Sequence, residues 1–169
     1  MTQIYSIQNV EEARMCLDAG ADSIGVAVST GMHLPSEVSV DTCKDIFDAI
    51  GDKALKVLIV VTRSEEPIFE PMDQLRPDII HICGNEYFAT PEFVAKVKAR
   101  HPRMRVLQAI AVDGEEAISR ARHFAAFCDM LILDSVDPKI AGIGAAGITH
   151  DWALSARIVE AGDCPVILA

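Results

Sequence analysis

Aromatic side chains are scarce, at 5% of this 169-residue chain. That favours a large aliphatic core over an aromatic-rich recognition surface. Basic side chains are also short, with 15 Lys and Arg against 25 Asp and Glu and a net charge of −10. Such a surface repels nucleic acid and anionic membranes, so neither is an expected partner. A small anionic ligand stays open, because clustered backbone N–H groups bind phosphate on acidic proteins too. No apolar run approaches the roughly 20 residues that span a bilayer. The opening MTQIYSIQNVEEA has no basic region followed by an apolar run, so no secretory signal is read there. The five cysteines, Cys16, Cys43, Cys83, Cys128 and Cys164, are scattered and include no C-x-x-C pair. A zinc site or disulfide scaffold is therefore not expected. Reduced thiols in a cytoplasmic protein are.

What the chain has in abundance is aliphatic periodicity, with half its residues hydrophobic. Short β-branched runs predict strands over residues 3–7, 22–28, 55–61, 79–83, 106–112, 130–134 and 166–169. Helical periods lie between them, at 10–19, 40–50, 67–75, 91–100, 115–127 and 151–161. Asn9 is placed to cap the first helix, with Glu11 and Glu12 in its first turn and Gly20 after its end. Thr90-Pro91-Glu92 is a second start signal. Lys96, Lys98 and Arg100 read as a solvated helix face.

Runs such as VLIVV and MLIL are apolar on successive residues, as parallel strands covered on both faces require. Repeated β-α units of this kind make an α/β parallel sheet. No G-x-G-x-x-G follows the first strand, which weighs against a dinucleotide-binding sheet. Polar residues recur at strand C-terminal ends: Thr62, Cys83 with Asn85, Asp134 with Ser135. A TIM (β/α)8-type barrel carries its active site on that face. The seven strands and six helices fall short of eight β-α units. The expectation is a single barrel domain over 1–169, incomplete at its C-terminus. A second copy or another partner covering the open barrel edge is the alternative.

The segment 130–152 carries the chemistry. MLILD ends a buried strand on one carboxylate, Asp134. GIGAAG follows, and ITHDWAL begins a helix. Gly144 and Gly147 would let backbone N–H groups approach a phosphate, with the helix dipole behind them. Thr149 or Asp151 is placed to cap that helix, and Trp152 to pack it against the barrel.

These residues resemble the phosphoribosylanthranilate isomerase family, the (β/α)8 enzymes of tryptophan biosynthesis, over essentially the whole chain. NVEEARMCLDAGADSIGV, VLQAIAV, LILDS, GAAGITHDW and PVILA carry the likeness. The family's glycine loop reads G-G-T-G-x-x-F-D-W. The resemblance implies an Amadori rearrangement of an aminoaldose phosphate to an aminoketose, with no cofactor and no metal. It needs an acid for the ring oxygen and a base for the neighbouring C–H. Asp134 matches the family's acid, and Gln108 lies on the strand that lines the expected substrate site.

The departures bear on the base and the anion. The family's K-I-C-G, whose cysteine is the base, aligns with Gln3-Ile4-Tyr5-Ser6. A phenol, with an ordinary pKa of about 10, is a poor base at neutral pH. The family's S-P-R aligns with Leu34-Pro35-Ser36, which leaves Ser36 and the nearby His33 in the arginine's place. Q-L-H-G aligns with His81-Ile82-Cys83-Gly84, and His81 and Cys83 share a strand face. A Cys83 thiolate favoured by a His81 imidazolium is the replacement base to look for. Three readings follow: the family's isomerase with altered or lost activity, an epimerase or lyase for another sugar phosphate, or a non-catalytic phospholigand-binding protein.

Overall fold

Apart from one short added strand, strands and helices alternate along the chain in the order that the hydrophobic pattern predicts. The computed structural model describes residues 1–139, 142–162 and 164–169. Contacts divide them into two units, Met1–Ile80 and His81–Ala169.

The first unit holds β1 (Gln3–Ile4), α1 (Val10–Asp18), β2 (Ser23–Val28), β3 (Glu37–Val38), α2 (Val40–Ile50), β4 (Leu55–Val60) and α3 (Glu66–Leu75). Strand β2 is its centre, with all six residues buried. It pairs in parallel with β1 at Gln3↔Ser23 and with β4 from Ser23↔Leu55 to Ala27↔Ile59. Strand β1 is shorter than its apolar pattern because Ser6 takes a left-handed φ of 60° and breaks the extended run. Ile7 regains the ladder, its N–H donating to the Gly25 carbonyl at 3.1 Å. Strand β3, beside the end of β2 at Ala27↔Glu37, was not expected, since two residues carry no periodicity. Helix α1 starts where Asn9 Oδ1 accepts the Glu12 N–H at 2.9 Å, while Glu12 reaches back to the Gln8 N–H. Helix α3 runs through Pro71 and still buries Ile68, Met72 and Leu75.

Strand β5 (Ile79–Ile82) crosses the division between the units and is buried at all four positions. The second unit continues with α4 (Pro91–Arg100), β6 (Arg105–Ala111), α5 (Glu116–Ala125), β7 (Met130–Asp134), α6 (Trp152–Glu160) and β8 (Val166–Leu168). Strand β7 pairs in parallel with β6 from Leu107↔Met130 to Ala111↔Asp134, and with β8 from Leu131↔Val166 to Leu133↔Leu168. The Thr90 hydroxyl caps α4 through the Phe93 N–H at 3.1 Å.

Two surface expectations change. Lys98 is not simply solvated: Nζ donates to the Met104 carbonyl at 2.7 Å and pairs with Asp129, whose other oxygen accepts the Val106 N–H. The lysine stem thus ties α4 to the entries of β6 and β7. Trp152 does not pack inward. It is 73% exposed, while α6 buries Leu154, Ser155 and Ile158.

Candidate active site

Asp134 is the last residue of β7, half-buried, with Ser135 buried behind it. Its Oδ1 accepts the Ser135 N–H at 2.7 Å, which fixes the carboxylate against its own backbone. The loop that follows turns back onto the strand ends. Gly144 N–H donates to the Ser135 carbonyl at 2.9 Å, and Ile143 N–H to the Cys83 carbonyl at 2.7 Å. The ends of β5 and β7 are thereby stitched to one loop.

Gly144 lies directly on the acid. A Cβ there would stand 3.0 Å from Asp134 Cγ and closer still to Oδ2, and φ is +98°. Only glycine meets both demands. Gly147 differs: its φ of +63° needs a left-handed residue, but nothing stands within 4 Å of a Cβ there. The anion-binding expectation at the helix end also changes. Asp151 Oδ1 takes the N–H groups of Ala153 at 2.9 Å and Leu154 at 3.1 Å, so a carboxylate already satisfies the first turn of α6. A phosphate would have to use the loop rather than those amides.

Cys83 and His81 are both buried, two residues apart at the end of β5. Burial, and then the Asp134 charge, push the Cys83 thiol up to about 12. Burial pulls the His81 imidazole down to about 4. Both effects disfavour the charged forms. A resting thiolate–imidazolium pair, expected from the spacing, is therefore corrected to a neutral thiol and a neutral imidazole. Gln108, the expected substrate contact, is held by backbone groups. It is fully buried, and its amide accepts the Ala89 N–H at 2.8 Å and donates to the carbonyls of Ile82 and Ala109 at 3.3 and 3.0 Å. It clamps the loop after β5. No sequence pattern marks a glutamine as a clamp.

The remaining expected residues belong to the first unit. The Tyr5 ring fills the space above Gly25, where a Cβ would meet Tyr5 Cδ1 at 2.6 Å and Ile59 Cδ1 at 2.9 Å. An aromatic ring at position 5 thus depends on glycine at position 25. His33 is exposed with φ 57°, and Ser36 is half-buried in the loop after β2. Gln8 Nε2 donates to the Pro35 carbonyl at 3.3 Å, and the Thr30 hydroxyl donates to the Val61 carbonyl. The arrangement in the second unit puts one carboxyl, Asp134, beside a glycine loop that is also bonded to the end of β5.

No protein-family model matches the chain. A curated relative from Halorubrum lacusprofundi, named N-(5'-phosphoribosyl)anthranilate isomerase, is 30% identical over 167 residues, 99% of this chain and 74% of that protein. One of the same name from Methanocella arvoryzae is 28% identical over 159 residues, 94% of this chain and 71% of that protein. Among solved structures, phosphoribosyl anthranilate isomerase from Thermotoga maritima superposes with a TM-score of 0.80 at 22% identity, covering 100% of this chain and 77% of that one. A phosphoribosyl anthranilate isomerase in complex with reduced 1-(o-carboxyphenylamino)-1-deoxyribulose 5-phosphate gives 0.75 at 19% identity, covering 99% and 75%. The fold is the TIM-type α/β scaffold of those proteins.

Proposed function

Because this chain belongs to the N-(5'-phosphoribosyl)anthranilate isomerase family, we propose that it isomerises N-(5'-phosphoribosyl)anthranilate to the corresponding 1-amino-1-deoxyribulose phosphate, a cytoplasmic step of tryptophan biosynthesis. The observation that carries the reading is Asp134, held at the end of β7 with Gly144 against its carboxyl group. The Asp134 carboxyl donates its proton to the ribose ring oxygen as the C1–O bond breaks, which leaves an iminium at C1. The carboxylate so formed then takes the C2 proton, and the electron pair of that bond forms the enamine. Tautomerisation of this enolamine gives the ketose, with no oxidant, reductant or cofactor consumed. The one group acts first as acid and then as base, while burial keeps the Cys83 thiol protonated. The loop backbone over Ala145–Gly147 is the proposed phosphate seat.

A separate base contributes about 10²–10⁴-fold in acid–base catalysis. Tyr5 at the family's cysteine position therefore favours slower turnover, and binding of a phospholigand without turnover is the second reading that it supports. Complementation separates them. Expression in a tryptophan auxotroph lacking this isomerase is expected to restore slow growth, and the Asp134→Asn variant is expected not to. A folded, expressed protein that gives no growth would favour the binding reading.

A further inference from the structure

Aromatic residues make up 5% of the chain, yet several of them gather on one rim of the second unit. Phe88, in the loop after β5, stands 5.9 Å from Phe124 on α5, centroid to centroid. Phe124 packs in turn on His123 at 5.1 Å and on Phe127 at 5.7 Å. Phe88 remains 38% exposed. Between these rings and the ends of β6 and β7 lies a cavity of about 240 Å³. Its inner wall is Ala109, Ile110 and Ala111, and Ile143 of the loop after β7 closes one side. The two alanines leave the space that larger side chains would fill. An adjoining groove of about 390 Å³ shares Phe88, Arg120 and Phe124.

Arg120 stands where the cavity meets that groove. Its Nη2 donates to the Ala111 carbonyl at 2.8 Å and to the Asp113 carboxylate. These contacts fix the plane of the guanidinium, whose five N–H donors exceed what they use. A fork held in place binds a planar carboxylate with little ordering cost. Asn85 and Asp113 are the other polar groups of the wall, and the Asp113 carboxylate faces the Arg120 nitrogen that it accepts from, which leaves Nε and Nη1 for a ligand. An apolar cavity of about 150 Å³ is enough to hold benzene, so there is room for a substituted ring.

We infer that this rim pocket is a second binding site, for a small aryl carboxylate, with the ring against Phe88 and Phe124 and the carboxylate on Arg120. Its walls come from α5, β6 and the loops after β5, β6 and β7, and none of them is a residue assigned to proton transfer.

Benzoate titrated into the 15N-labelled chain tests this. Saturable amide shifts are expected at Phe88, Ala109–Ala111 and Arg120–Phe124. Cyclohexanecarboxylate and benzyl alcohol, which lack the flat ring and the charge respectively, are expected to bind at least about 10-fold more weakly to the unaltered chain. Arg120→Gln should weaken benzoate by about 10-fold and leave benzyl alcohol unchanged. Phe124→Leu should weaken both, and Asp134→Asn neither. Shifts centred on Cys83, Asp134 and Gly144, comparator ligands as tight as benzoate, or no saturable shift at all would overturn the inference.

Discussion

Ser6 and Ala145 hold left-handed backbone, at φ 60° and 57°. Both stand where the resembled K-I-C-G and G-G-T-G patterns carry glycine. A side chain in that region costs about 1–2 kcal/mol, partly offset by the greater freedom of unfolded glycine. Ser6→Gly and Ala145→Gly should each stabilise the chain by up to about 1 kcal/mol in chemical denaturation. Gly144→Ala should do the opposite. Its Cβ would meet Asp134 Cγ at 3.0 Å at a φ of +98°, so a loss of about 1–3 kcal/mol and a displaced carboxyl are expected. Glycine variants at 6 and 145 that destabilise, or an alanine at 144 that leaves stability unchanged, would contradict the strain argument. The sequence shows which residues replace glycine. It does not show which of those positions kept the left-handed conformation, because that depends on where the loop must go.

At the scale of elements, local signals read well wherever they are strong. Thr90-Pro91-Glu92 predicts a helix start, and α4 begins there with the Thr90 hydroxyl on the Phe93 N–H. Thr90→Ala should cost about 1 kcal/mol of stability, measured by urea unfolding. An unchanged midpoint would mean that the α4 start is held by packing alone. The successive apolar residues of VLIVV and MLIL predict strands covered on both faces, and Val57–Val61 and Met130–Leu133 are all buried. What local pattern could not reveal is tertiary in origin. Strand β3 exists only because the loop after β2 returns beside it. Lys98 reads as solvent-facing until Asp129 arrives from a distant part of the chain. Gln108 reads as a ligand contact until the loop after β5 folds onto its amide. Asp134 and Gly144 were legible because a strand end and a glycine loop are both sequence features. The protonation of Cys83 and His81 was not, because it is set by burial.

For the whole molecule, those buried groups set the pH range of stability. His81 titrates near 4 when folded and near 6.5 when unfolded. The unfolded chain binds the extra proton between these values, so stability is full above about 6.5 and falls as the pH drops toward 4. The loss should be on the order of a few kcal/mol, and His81→Gln should flatten that part of the profile. Cys43, Cys83 and Cys128 are all raised to about 12 by burial. Their contribution is present below the unfolded value of 9.0 and is lost as the pH rises toward 12. Thermal melts from pH 4 to 11 should show both limbs. An acid limb that persists in His81→Gln would assign it to carboxylates instead. Among the described residues no helix is long and apolar enough to cross a membrane.

Under the proposed function a single carboxyl, Asp134, carries the proton transfers of the family's isomerisation. Steady-state turnover of N-(5'-phosphoribosyl)anthranilate by the purified chain, beside Asp134→Asn and Cys83→Ala, tests it most directly. Measurable kcat is expected for the wild type, with a loss of about 10²–10⁴-fold or more in Asp134→Asn and little change in Cys83→Ala. Turnover that survives Asp134→Asn, or that disappears in a folded Cys83→Ala, would contradict it.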